Sequence, residues 1–183
     1  MKVIFLDRDG VINIDDGYVH KKEDWIFTHK CLEALKSFID KGFKLIIITN
    51  QAGIAKGFYS IEDYNALTKW YLNILKKNGI SVLSVIYCPH HPQGIVAQYK
   101  KDCNCRKPKP GLIKDAISKF NIDIQKSILV GDKISDIIAG ARSGIKNLVI
   151  VDSGYFTEKD LSKLEIKPAF YENLFEFSSK LKS

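Results

Sequence analysis

The chain has 183 residues, 45% hydrophobic and 27% charged, a globular composition large enough for a proper core. No apolar run reaches the ~18 residues of a membrane span, and the opening run at residues 3–6 is too short for a secretory h-region of ~7–15, so a cytoplasmic protein is expected. The net charge of +7 favours anionic partners, but the lysines are dispersed and no basic-aromatic stripe appears, so a phosphorylated small molecule is expected rather than nucleic acid or a membrane.

Taken in chain order, short β-branched apolar runs alternate with helical patterns. Val3–Leu6 reads as a strand, ending at Asp7-Arg8-Asp9-Gly10. Cys31–Asp40 reads as a helix with Leu32, Leu35, Phe38 and Ile39 on one face, stopped by Gly42. Residues 43–48 form an apolar run broken only by Lys44, suited to a buried parallel strand. Ser60 and Asp63 make a capping-box-like start for a helix over Ile61–Lys77. Strands follow at residues 82–87, 127–130 and 148–151. Helices run from Pro108 and Pro110 to about Phe120 and over residues 135–143, before a short β/α finish. This alternation predicts a doubly wound, mainly parallel α/β sheet in a single domain over residues 1–183. The lack of an apolar stripe points to a monomer.

In such sheets ligands gather at the carboxyl ends of the strands, where Asp7, Thr49, Cys88 and Asp132 are expected. Two carboxylates leaving a buried strand, Asp7 and Asp9, can converge on one cation. One carboxylate can attack phosphorus while the other exchanges protons with the leaving alcohol and with water. By itself Asp-x-Asp is equally a polar turn or a helix cap. Thr49-Asn50-Gln51 offers a hydroxyl and N–H groups to phosphoryl oxygens. Pro108 biases Lys107 toward an extended backbone that can aim its ammonium at the site. Asp132 is a natural further magnesium ligand, and Asp136 can orient neighbours from a helix start.

The order Asp-x-Asp, Thr, Lys, Gly-Asp-x-x-x-Asp resembles the haloacid dehalogenase superfamily over residues 3–151. The resemblance implies Asp7 as nucleophile, Asp9 as general acid and base, and Thr49 and Lys107 as phosphoryl binders. It also implies Mg2+ on Asp7, the Asp9 carbonyl and Asp132.

Cys88-x-His90 and Cys103-x-Cys105 can close one tetrahedral site, and four protein ligands with no open position mean structural Zn2+. Spacing alone does not choose between His90 and His91. Cys31, on an amphipathic helix, reads as a core residue. The strings FLDRDGVIN, DGYVH, TNQAGIAKG, CPHHPQG, CRKPKPG and VGDK resemble the heptose bisphosphate phosphatases of the superfamily, with histidinol-phosphate phosphatases as near relatives. That likeness implies His90 rather than His91 as the zinc ligand. It implies substrate contacts from Asp15, Asp16, Gly17, Tyr18, Asn50, Gln51, Ala52, Arg106 and Lys133, and hydrolysis of a 7-phosphate through an aspartyl-phosphate.

The segments after Asp9 and from Cys88 to Cys105 are too short for a cap domain of ~50 residues or more, so the zinc loop is expected to serve as a rigid rim. A competing reading is a zinc-containing nucleic-acid-binding module. The trio of Asp7, Asp9 and Asp132 counts against it, because unneutralised carboxylates repel a polyanion.

Overall fold

In a computed structural model describing residues 1–162 and 164–182, strands form at Val3–Leu6 (β1), Lys44–Asn50 (β2), Val82–Cys88 (β3), Ile128–Gly131 (β4), Asn147–Val151 (β5) and Ala169–Tyr171 (β6). They build one sheet in the order β3-β2-β1-β4-β5-β6, and every pairing is parallel. The helices are Cys31–Asp40 (α1), Ala52–Ala55 (α2), Ile61–Lys77 (α3), Gly111–Phe120 (α4), Ile134–Arg142 (α5), Glu158–Ser162 (α6) and Leu174–Lys180 (α7). Among the described residues, no helix is long and apolar enough to cross a membrane.

The continuous apolar runs are explained by burial on both faces. Side chains alternate across a strand, so Ile4 and Leu6 join one core while Val3 and Phe5 join the other. The first core is closed by Leu35 and Phe38 of α1, Leu67 and Tyr71 of α3, and Phe177 of α7. The second is closed by Leu112 and Ile113 of α4 and Ile137 of α5. Helix α3 starts where Ser60 Oγ accepts from Asp63 N–H at 3.0 Å and Asp63 Oδ2 accepts from Ser60 N–H at 2.9 Å. Removing such a cap typically costs ~1 kcal/mol.

Two boundaries differ from the sequence reading in a way that matters. β2 continues to Asn50 and β3 to Cys88, because Thr49 pairs with Tyr87 and Asn50 with Cys88. Thr49 is therefore held inside a strand rather than in the turn after it. Cys31 is buried in the first core, as expected of a packing residue.

The chain runs from β1 outward to β3, then returns to lay β4 on the other side of β1. The crevice outside the carboxyl ends of β1 and β4 is thus the topological switch point, the favoured ligand position in an open α/β sheet.

Candidate active site

Asp7 follows β1 and Asp132 follows β4, and Asp7 N–H donates to Val130 O at 3.0 Å. Gly10 lets the two segments close. Its φ is +84°, and an added Cβ would lie 2.1 Å from Asp132 Oδ2. Lys107, 3% exposed, places Nζ 3.0 Å from Asp7 Oδ1, 2.6 Å from Asp136 Oδ1 and 3.0 Å from Ile48 O. Its backbone is clamped by Asn50, whose Oδ1 accepts from Lys107 N–H and whose Nδ2 donates to Lys107 O, both at 3.1 Å. Asp136 is a direct partner of this lysine as well as a helix-start residue, since its Oδ2 accepts from Lys133 N–H at 2.9 Å.

The three carboxylates outnumber the one ammonium among them. Burial, with the charges of Asp136 and Asp9 adding, pushes Asp7 up to about 6 against the pull of Lys107. Burial, with Asp7 and Asp136 adding, pushes Asp132 up to about 8. Burial works against the charged form of Lys107, but Asp136 and Asp7 outweigh it and raise its pKa. Carboxylate oxygens of Asp7, Asp132 and Asp136 lie within 4.8 Å of one another, and Asp132 Oδ1 is buried without a hydrogen-bond partner. An orphaned anionic oxygen inside a carboxylate cluster fits a hard divalent cation, and Mg2+ uses one or two carboxylates together with phosphate and water.

Asp9 faces the opposite side of the strand exit. Its Oδ1 accepts from Arg8 Nη2 at 2.7 Å, Arg8 Nε at 3.1 Å and Asn13 Nδ2 at 3.0 Å, while Oδ2 accepts from Gln51 Nε2 at 3.0 Å. The Arg8 guanidinium is fully buried, donates to Val19 O at 2.7 Å, and lies 5.8 Å from the Trp25 ring and 5.9 Å from the Tyr64 ring. Arg8 is thus a buried anchor for Asp9.

These groups floor a cavity of about 540 Å3. Asp7, Asp9, Thr49 and Lys107 line it together with Asp15, Gly17, Tyr18, Asn50, Gln51, Ala52, Arg106 and Lys133. Two residues named from the sequence stand apart. Asp132 lies fully buried outside the lining, and Asp16 is exposed and does not line the cavity, since the 15–18 turn directs Asp15 inward instead. Asp15 Oδ2 accepts from Lys133 Nζ at 2.8 Å, and Lys133 holds the Asp15 carboxyl below its usual range although burial opposes this. Lys56, Tyr59 and Tyr155 also line the cavity and are not singled out by sequence reasoning, and His91, weighed there only as an alternative zinc ligand, lines it too. Closeness to motif residues in the chain hints at Lys56 and Tyr59, and nothing hints at Tyr155.

The cysteine–histidine cluster lies beside this cavity. Cys88 Sγ, Cys103 Sγ, Cys105 Sγ and a His90 ring nitrogen lie within 4.8 Å of one another. Sulfur separations are 2.9 Å for Cys88–Cys105, 3.2 Å for Cys103–Cys105 and 3.4 Å for Cys88–Cys103, while His90 Nδ1 is 3.3 Å from Cys105 Sγ. These distances are longer than a disulfide bond of ~2.05 Å and shorter than the ~3.8 Å edges of a tetrahedron with metal–sulfur bonds of ~2.3 Å, so the four donors converge on one point without being disulfide-bonded. Cys105 is pushed down to about 5, first by its contact with Cys88 and then by Cys103 and His90, against burial. The donor set fits zinc. His91 turns the other way, toward the active-site cavity, so the two adjacent histidines serve different centres.

Fold and site together define a haloacid dehalogenase-like phosphoric monoester hydrolase. A family model described as Hydrolase-like, HAD-hydrolase-like, matches residues 104–176. A D-glycero-alpha-D-manno-heptose-1,7-bisphosphate 7-phosphatase of Photorhabdus laumondii is 54% identical over 87% of this chain and 87% of its own length. A D-glycero-beta-D-manno-heptose-1,7-bisphosphate 7-phosphatase of Pasteurella multocida is 45% identical over 84% and 83%. The crystal structure of D,D-heptose 1,7-bisphosphate phosphatase from B. bronchiseptica, complexed with magnesium and phosphate, superposes with a TM-score of 0.84 at 29% identity, covering 98% of this chain and 97% of that one. The chain belongs to the heptose-1,7-bisphosphate 7-phosphatase family.

Proposed function

We propose that this enzyme hydrolyses the 7-phosphate of D-glycero-alpha-D-manno-heptose 1,7-bisphosphate to the 1-phosphate. The observation that carries the substrate is the 54% identity to an alpha-specific relative against 45% to a beta-specific one. The cavity supports it. Lys107 at the floor suits the phosphate that reacts, while Arg106, Lys133 and Lys56 on the walls suit a second phosphate at the far end of a small sugar.

In this reading an Asp7 carboxylate oxygen attacks the phosphorus at C7, and the bond to the sugar oxygen breaks as Asp9 gives that oxygen a proton. Asp9, now ionised, takes a proton from water, which attacks the same phosphorus and frees Asp7 and inorganic phosphate. Thr49 and Lys107 hold the phosphoryl oxygens in both halves. Asp7, the Asp9 carbonyl and Asp132 would hold Mg2+, with Asp136 fixing Lys107 beside them. A bound magnesium lowers the repulsion between the Asp7 carboxylate and the phosphate dianion. Cys88, His90, Cys103 and Cys105 would hold Zn2+ as a structural ion that stiffens the rim.

The test is turnover on both heptose bisphosphate anomers, histidinol phosphate and fructose bisphosphate. The alpha anomer should give the highest kcat/KM. A preference for histidinol phosphate of about 100-fold, near 2.7 kcal/mol, would sink the substrate assignment and leave the phosphatase chemistry standing.

A further inference from the structure

Gln51 sits at the junction of two catalytic groups, and both ends of its amide are held by side chains around it. The residue is 2% exposed, and its N–H donates to Cys88 O at 2.8 Å. Its Nε2 donates to Asp9 Oδ2 at 3.0 Å and to Thr49 Oγ1 at 2.8 Å. Its Oε1 accepts from the Tyr59 hydroxyl at 2.6 Å. An amide has one end that only donates and one that only accepts; the Thr49 and Tyr59 hydroxyls can do either, so the ionised Asp9 carboxylate, an acceptor only, selects this orientation. Turned over, Oε1 would face the Asp9 carboxylate, acceptor against acceptor. Tyr59 is itself clamped: His20 stacks on its ring at 4.8 Å and 10°, and a Cβ on Gly53 would lie 2.1 Å from Tyr59 Cε1, so only glycine leaves the ring room.

We propose that Tyr59 and Gln51 form a positioning pair for the two halves of the reaction. Tyr59 anchors Oε1 of the Gln51 amide once Asp9 has drawn Nε2 inward. The amide then points Asp9 Oδ2 for proton transfer and, by donating to Thr49 Oγ1, leaves the Thr49 hydroxyl hydrogen free for a phosphoryl oxygen. Neither side chain needs to touch the reacting atoms. The inference rests on the assignment of Asp9 as general acid made above.

The experiment separates this role from simple structural support. A sugar alkoxide needs the Asp9 proton to leave, whereas 4-nitrophenolate leaves without one. In Tyr59→Phe, kcat/KM on heptose bisphosphate should fall about 100-fold and on 4-nitrophenyl phosphate only about 10-fold, the shared loss coming from Thr49. Gln51→Glu keeps the shape and the Tyr59 bond but sets a carboxylate against Asp9. It should shift the ratio the same way, and it carries the test if Tyr59→Phe does not fold. A ratio of the two substrates within about twofold of wild type in the folded variants overturns the proposal. If the wild type hydrolyses the aryl ester but not heptose bisphosphate, the substrate reading fails separately, and the sugar phosphate it does accept replaces the bisphosphate in the ratio.

Discussion

The catalytic floor draws Asp7 from the end of β1, Thr49 from β2, Asp132 from the end of β4 and Lys107 from the approach to α4. The cysteine–histidine cluster draws all four ligands from residues 88–105. The first is assembled by sheet topology and buried under two cores. The second is assembled by the end of β3 and the loop that follows it, with only Cys88 fully buried. The floor's carboxylates stay in place because β1 and β4 hold them, and a cation relieves their repulsion without creating the site. The loop packs on the second core only through its cysteines, and a metal bound there would add order that packing supplies elsewhere.

Replacing groups in each centre should therefore fail differently. The largest effect is on Asp7→Asn, which should lower kcat by at least ~10³-fold while the fold persists, read by turnover and thermal melting. Activity retained in that variant removes Asp7 as nucleophile. Wild-type protein should carry about one zinc equivalent by elemental analysis, and Cys105→Ser should lose it and lower Tm by roughly 10 °C, a stability effect on the order of 3 kcal/mol. Wild-type protein free of zinc after metal-free purification would end the zinc assignment. Magnesium affinity of the metal-free enzyme should tighten by about 100-fold from pH 6 to pH 8 in calorimetric titrations. The sign follows from Asp7 at about 6 and Asp132 at about 8, because protons compete with the cation until both carboxyls ionise. The same raised values make metal-free protein lose stability as pH rises from about 4 toward 8, since the unfolded chain gives up these protons first. A flat magnesium profile would contradict the coupling. The smallest effect is on Arg106→Ala, expected to raise KM for the bisphosphate about tenfold while leaving a monophosphate ester nearly unchanged.

The same contrast governs what the sequence discloses. The bounds of β1, α1 and α3 are readable to the residue, because apolar period, a cap and a stop agree there. The clustering of Cys88, His90, Cys103 and Cys105 is legible because all four fall within one short stretch of chain. Asp7, Thr49, Lys107 and Asp132 are legible because each follows or ends an apolar strand. Contacts that depend on which way a side chain turns after the fold closes are not. Asp136 reads as a helix-start residue, yet its carboxylate meets Lys107 from a different loop. Gln51 reads as a substrate contact and lines the cavity, but its amide bonds to Asp9, Thr49 and Tyr59 leave no mark in the sequence. Asp16 lies beside Asp15 in sequence and outside the cavity in space.

The neighbouring histidines carry a final consequence. His90 belongs to the sulfur cluster and His91 to the cavity wall, and at the loop's other end Cys105 is followed at once by Arg106. The stretch from 92 to 102 is therefore held at both ends, each by a member of the cysteine–histidine cluster joined by one peptide bond to a cavity residue. Between those ends, the N–H groups of Ile95 and Val96 both donate to Ala55 O, at 2.8 and 3.0 Å, so the stretch is also tied to the short helix that follows Gln51.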